Sequence, residues 1–130
     1  MTLNGGMIVA KILAVDDEQE NLAVMNVLLQ KAGHTVATAM DGSKALAEIE
    51  RSMPDLVVSD IRMFPMNGLE MLRRIKTKWR DLPVMMVTSE RMEEATELLG
   101  AVAYLNKPFS IDELFNAVSR ALDTPCSIAE

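Results

Sequence analysis

Five short apolar runs alternate with five segments of helical periodicity, and this restricts the fold more than any other feature. The runs lie at residues 10–15, 35–39, 56–58, 84–87 and 102–105. Runs such as Leu56-Val57-Val58 and Val84-Met85-Met86-Val87 show no polar alternation. That is the pattern of strands covered on both faces, as in a parallel sheet. The intervening segments repeat their apolar residues at helical spacing. Leu22, Met25, Leu29 and Ala32 share one face of a helix expected over 19–32, and Gly33 supplies its stop. Ala45, Leu46 and Ile49 mark the second helix, and Leu72, Ile75 and Trp79 the third. Ala95, Leu98 and Leu99 are the expected inner residues of a short fourth helix, 92–99. Ile111, Leu114, Phe115, Val118 and Leu122 are those of the fifth. Asn67 with Glu70, and Ser110 with Glu113, have the spacing of capping boxes. Strand–helix alternation of this kind predicts an α/β fold: an open, doubly wound parallel sheet of five strands with helices on both faces.

The chain of 130 residues suits one domain with a sizeable core. Residues 1–9 read as a lead-in, loose and polar over 1–6, 10–123 as the domain and 124–130 as a short polar tail. A net charge of −6 argues against direct nucleic-acid or anionic-membrane binding and favours a divalent cation or a basic partner. Cys126 is the one cysteine and lacks an internal partner, which points to a reducing, cytoplasmic setting. No run resembles a signal peptide or a membrane span. His34 follows Gly33 in a turn with no metal-ligand set beside it, so a structural role is expected.

Right-handed crossovers bring all five strand carboxyl ends to one rim, where open α/β sheets bind ligands. Strand one ends in Asp16-Asp17, strand three in Asp60, strand four in Thr88-Ser89, and strand five leads into Lys107-Pro108. Carboxylates gathered in this way repel one another, and a hard divalent cation relieves the repulsion. Mg2+ accepts few carboxylates, keeps some waters and shares its sphere with phosphate oxygens. A lysine and a hydroxyl beside such a site supply what a phosphoryl group requires. A carboxylate can itself be the nucleophile, forming an aspartyl phosphate.

With Val15-Asp16-Asp17-Glu18, Asp60 with Met63 and Gly68 downstream, Thr88-Ser89-Glu90 and Tyr104-Leu105-Asn106-Lys107-Pro108-Phe109, the chain resembles the receiver domain of bacterial two-component response regulators. The likeness runs from about Lys11 to Leu122. It implies a flavodoxin-like strand order, 2-1-3-4-5. It implies Asp60 as the phosphoacceptor, Asp17 and Asp60 as direct Mg2+ ligands, Asp16 acting through water, and the backbone carbonyl of Arg62 as a further ligand. Lys107 and the Thr88 hydroxyl would bind the phosphoryl group. Thr88 and Tyr104 would form the switch that remodels the face of helix four, strand five and helix five. A cis Lys107-Pro108 bond is implied as well. The implied partners are a sensor histidine kinase or phosphotransfer protein, a downstream output protein or domain, and a second copy in a phosphorylation-dependent homodimer. Such a domain is a switch with self-catalysed phosphorylation and dephosphorylation rather than a turnover enzyme.

Two departures stand out. Phe64 occupies the place after Met63 where the family usually has proline; Pro65 comes one later, while Gly68 keeps its place. An exposed Phe64 is expected from this. The stretch from Thr88 to Lys107 is short by roughly one helical turn, which bears on helix four and its face. Arg62 follows Asp60 by two and Glu90 follows Thr88 by two; the resemblance implies that these positions face each other across the site. An aspartyl-phosphate enzyme is a rival reading, but it would usually carry a second acid where Arg62 stands. A flavodoxin-like carrier is disfavoured by Asp16-Asp17-Glu18, which would repel a flavin phosphate. A phosphorylation-independent interaction module of the same fold is the remaining alternative.

Overall fold

The five apolar runs lie side by side in one wholly parallel sheet. Its strands are β1 (Lys11–Val15), β2 (Thr35–Ala39), β3 (Leu56–Asp60), β4 (Val84–Thr88) and β5 (Ala103–Asn106). Their order is β2-β1-β3-β4-β5, as expected. The helices are α1 (Gln19–Lys31), α2 (Gly42–Arg51), α3 (Gly68–Lys78), α4 (Glu93–Leu98) and α5 (Ile111–Asp123). The structure, a computed structural model, describes residues 2–3 and 7–123. The expected tail at 124–130, Cys126 included, lies outside the described residues.

Alternate strand residues feed two separate cores. Leu13, Val57 and Met86 pack with Ile49 of α2 and with Leu72 and Ile75 of α3 on one face. Ile12, Val58 and Met85 pack with Leu29 of α1 and with Leu114 and Val118 of α5 on the other. Side chains of a strand point to opposite faces in turn, so a run apolar at every position is what two covered faces demand. The central strands β1, β3 and β4 are thereby clamped from both sides. Their carboxyl ends inherit that rigidity.

Side chains cap the N-termini of three of the five helices. Asp41 accepts from Lys44 N–H at 2.8 Å and starts α2. Ser110 and Glu113 form a reciprocal box at α5, with bonds of 3.0 and 2.8 Å. Asn67 accepts from Glu70 N–H at 2.9 Å. The Glu70 carboxylate does not complete a box there; it turns to Arg73 and Arg74, at 2.7 and 2.8 Å.

Four further expectations need correcting. Leu98 was expected inside but is 87% exposed, and α4 buries Thr96 instead. Met92 and Leu99, which flank the helix, pack on the core and set its rotation. Leu98 then lies about 200° round from Thr96, on the solvent side. Ile111 is half exposed, because the stripe that α5 lays on the sheet is Leu114, Ala117, Val118 and Ala121. Trp79 lies just beyond α3 as its C-cap, partly buried against the core with the Lys78 ammonium 5.0 Å from its ring centre. Finally, the lead-in is not wholly loose: Thr2–Leu3 pairs antiparallel with Met7–Ile8. Two-residue runs are too short for periodicity to register in a sequence.

His34 is structural, as expected. It is buried, and its Nδ1 accepts from Ala10 N–H at 3.1 Å, tying the α1–β2 turn to the entry of β1.

Candidate functional site

The rim is assembled from strand ends that are distant in sequence. Asp16 and Asp17 follow β1, Asp60 closes β3, Thr88 closes β4, and Lys107 follows β5. The fold brings them together. The Lys107 ammonium stands 3.0 Å from Asp60 Oδ2 and 3.8 Å from Asp16 Oδ2. Lys107-Pro108 is cis, as the resemblance implies, and so is Phe64-Pro65, which no sequence signal marks.

Each carboxylate is also held by a main-chain N–H. Asp16 Oδ1 accepts from Glu18 at 2.9 Å, Asp60 Oδ1 from Arg62 at 3.3 Å, and Asp17 Oδ2 from Phe64 at 3.2 Å. Asp16 is buried, and burial raises its carboxyl above the usual range. The charges of Asp60 and Asp17 push in the same direction, against the Glu18 N–H and Lys107. The one ammonium contacts Asp60 and Asp16 but not Asp17, so three carboxylates share a single positive charge, an anionic surplus.

That surplus is the test for a cation. The side chains at the rim are hard oxygen donors, which suit Mg2+. Among the described residues, no three acidic, imidazole or thiolate groups converge as a ready-made metal cage. Carboxylates at the rim of the sheet suit an ion that takes few protein ligands and keeps water.

Gly68 explains its own place in the motif. A Cβ there would collide with the carbonyl oxygen of Asp60 and stand 2.8 Å from Ile61 Cα. Gly68 N–H also donates to the Ile61 carbonyl at 2.7 Å. Only a residue without a side chain lets α3 begin this close to the end of β3.

On the β4 side, Thr88 is fully buried, and its Oγ1 accepts from Glu90 N–H at 3.2 Å. Arg62 and Glu90 pair across the mouth at 2.8 Å, as expected. The Tyr104 hydroxyl donates to the Glu90 carbonyl and accepts from Met92 N–H at 3.0 Å. Glu90 is therefore held by its side chain, its N–H and its carbonyl. These main-chain partners were missed in the sequence, where only the Thr88/Glu90 spacing hinted at them. Phe64 is 80% exposed, as expected. A cavity of about 520 Å³ between α1 and the β5–α5 junction reaches Asp60 and Lys107, with Leu22, Met25 and Phe109 in its wall.

The doubly wound sheet with an acidic, lysine-closed rim defines a class of small α/β domain. Within that class, the chain belongs to the response regulator receiver domain family, whose model matches residues 12–119. It is 40% identical over 114 residues to the transcriptional regulatory protein ZraR of Klebsiella oxytoca, covering 85% of this chain and 26% of ZraR. It is 34% identical over 116 residues to sporulation initiation phosphotransferase F of Bacillus subtilis, covering 86% of this chain and 93% of that protein. Among solved structures, the chemotaxis protein CheY4 of Vibrio cholerae superposes with a TM-score of 0.82 at 32% identity, over 88% of this chain and 99% of CheY4. NtrX of Brucella abortus superposes at 0.84 with 35% identity, over 89% of this chain and 27% of NtrX. The chain thus spans about a quarter of the length of ZraR and NtrX. Among the described residues, no helix is long and apolar enough to cross a membrane.

Proposed function

We propose that this receiver domain accepts a phosphoryl group on Asp60 from a phosphohistidine of a sensor kinase or phosphotransfer protein, in a Mg2+-dependent step. The observation that carries this reading is the Lys107 ammonium 3.0 Å from Asp60 Oδ2 at a rim with surplus negative charge. An Asp60 oxygen attacks phosphorus; the P–O bond forms as the P–N bond to the donor imidazole breaks, and that nitrogen leaves with the bonding pair. Lys107 exchanges its contact with the carboxylate for one with a phosphoryl oxygen, so positive charge follows the negative charge. Thr88 Oγ1 accepts from Glu90 and keeps its own hydrogen to donate to the phosphoryl group. Asp17, Asp60 and the Arg62 carbonyl would hold Mg2+, with Asp16 acting through water; bound there, the ion neutralises charge on the phosphoryl oxygens.

The phosphate then biases two conformations of the α4–β5–α5 face through Thr88 and Tyr104. That face would meet an output protein or domain, or a second copy. A cytoplasmic location follows from such partners. Intact mass after incubation with Mg2+ and acetyl phosphate tests the proposal. We expect a gain of one phosphate, abolished by Asp60→Asn and by EDTA. A folded protein that gains none from either acetyl phosphate or a phosphorylated donor protein would refute it.

A further inference from the structure

Phe64 has two unlike sides. Its ring stands in solvent, 80% exposed. Its main-chain N–H turns the other way and donates to Asp17 Oδ2 at 3.2 Å. No other hydrogen bond or ion pair reaches the Asp17 carboxylate among the described residues. Two residues earlier, the N–H of Arg62 donates to Asp60 Oδ1 at 3.3 Å. One loop thus offers two main-chain donors to two carboxylates that arrive from different strands. Its far end is fixed where Gly68 N–H meets the Ile61 carbonyl and Asn67 caps α3.

We propose that the Phe64 N–H is a positioning donor for Asp17. It holds Oδ2, so the carboxylate is oriented before a cation arrives, and Oδ1 remains to take the ion. The proposal rests on the Mg2+ reading given above. A carboxylate free to rotate loses that freedom on binding a metal; one already held by an amide has lost it beforehand. Outer hydrogen-bond partners of this kind commonly change metal affinity about 10- to 100-fold. The residue type at 64 matters here through its N–H alone. Every residue except proline supplies one. The exposed ring is dispensable for this role.

Mg2+ titration calorimetry on the parent, Phe64→Ala and Phe64→Pro tests the idea. Phe64→Ala keeps the donor, and its affinity should match the parent's. Phe64→Pro removes the donor, and its affinity should fall by about 10-fold. Equal affinity in the parent and Phe64→Pro would overturn the positioning role, as would an equal loss in Phe64→Ala. Because Phe64→Pro can disturb the loop, amide exchange of Phe64 in the parent gives an independent reading. Exchange should stay slow, or slow further, when Mg2+ binds. Faster exchange with Mg2+ would make the amide a competitor of the ion and would end the proposal. Asp17→Asn separates the two levels. If it abolishes Mg2+ binding while Phe64→Pro leaves binding intact, the metal reading stands and the positioning role falls. If the parent binds no Mg2+, both fall.

Discussion

α5 and α4 pack on the same strand, β5, yet they are secured in different ways. α5 has thirteen residues, a reciprocal capping box and four buried side chains. α4 has six residues, no side-chain bond at its N-cap and one buried residue, Thr96. α5 is held by apolar area. α4 is held by the core contacts of its flanking residues and by a hydroxyl, since Tyr104 bonds to the Glu90 carbonyl and the Met92 N–H just before it. Burial is non-directional and hard to undo in part, whereas a few hydrogen bonds break one at a time. Strand ends that must keep carboxylates in place share the first kind of support, and the segment expected to move has the second.

The largest effect tests the buried side. Leu114→Ala should cost about 2–5 kcal/mol in urea unfolding, because Leu114 is fully buried. Leu98→Ala on α4, where the side chain is 87% exposed, should stay within about 0.5 kcal/mol. Comparable losses at the two sites would erase the contrast. Tyr104→Phe should weaken the α4 attachment locally by about 1 kcal/mol. Hydrogen exchange of amides 90–98 should quicken while the global unfolding midpoint moves much less; uniform quickening across the sheet would count against local support.

Smaller still is the Arg62–Glu90 pair, whose arginine is largely exposed. Glu90→Ala should change stability by less than about 1 kcal/mol. Its expected signature is kinetic: loss of phosphate from Asp60 should speed up, since the pair lies over the mouth of the site. An unchanged hydrolysis rate would remove that role.

The weakest effect concerns the foot of the sheet. Burial lowers the His34 pKa below its ordinary 6.5, and the ring accepts a hydrogen bond in its neutral form. As pH falls through 6.5, the unfolded chain takes up the proton first. The contribution of His34 is therefore full above about pH 6.5 and is lost as pH drops toward the lower folded value. The urea midpoint should fall between pH 7.5 and 5.5, and His34→Gln should flatten that slope.

The sheet and the rim were legible because both rest on strong local signals. An apolar run that stops at Asp60, or a strand that stops at Thr88, marks a strand end without reference to the rest of the chain. What the sequence hid was of two kinds. The face of α4 was misread at Leu98 because six residues make fewer than two turns, too few to define a stripe. The hydrogen bonds of Phe64 N–H, Glu90 N–H and the Glu90 carbonyl involve groups that every residue has, so no letter reveals them. Only the departure from proline at 64 marked that loop as unusual, and it gave no hint of where the amide points.

Glu90 is grasped from three directions: Arg62 from the loop after β3, Thr88 from the rim and Tyr104 from β5. A residue placed in this way carries influence both ways. If phosphate on Asp60 changes the affinity of the α4–β5 face for a ligand by some factor, that ligand must change the phosphorylation equilibrium by the same factor. A ligand of the far face would then shift the balance between the two forms of Asp60, whatever it did to the rates.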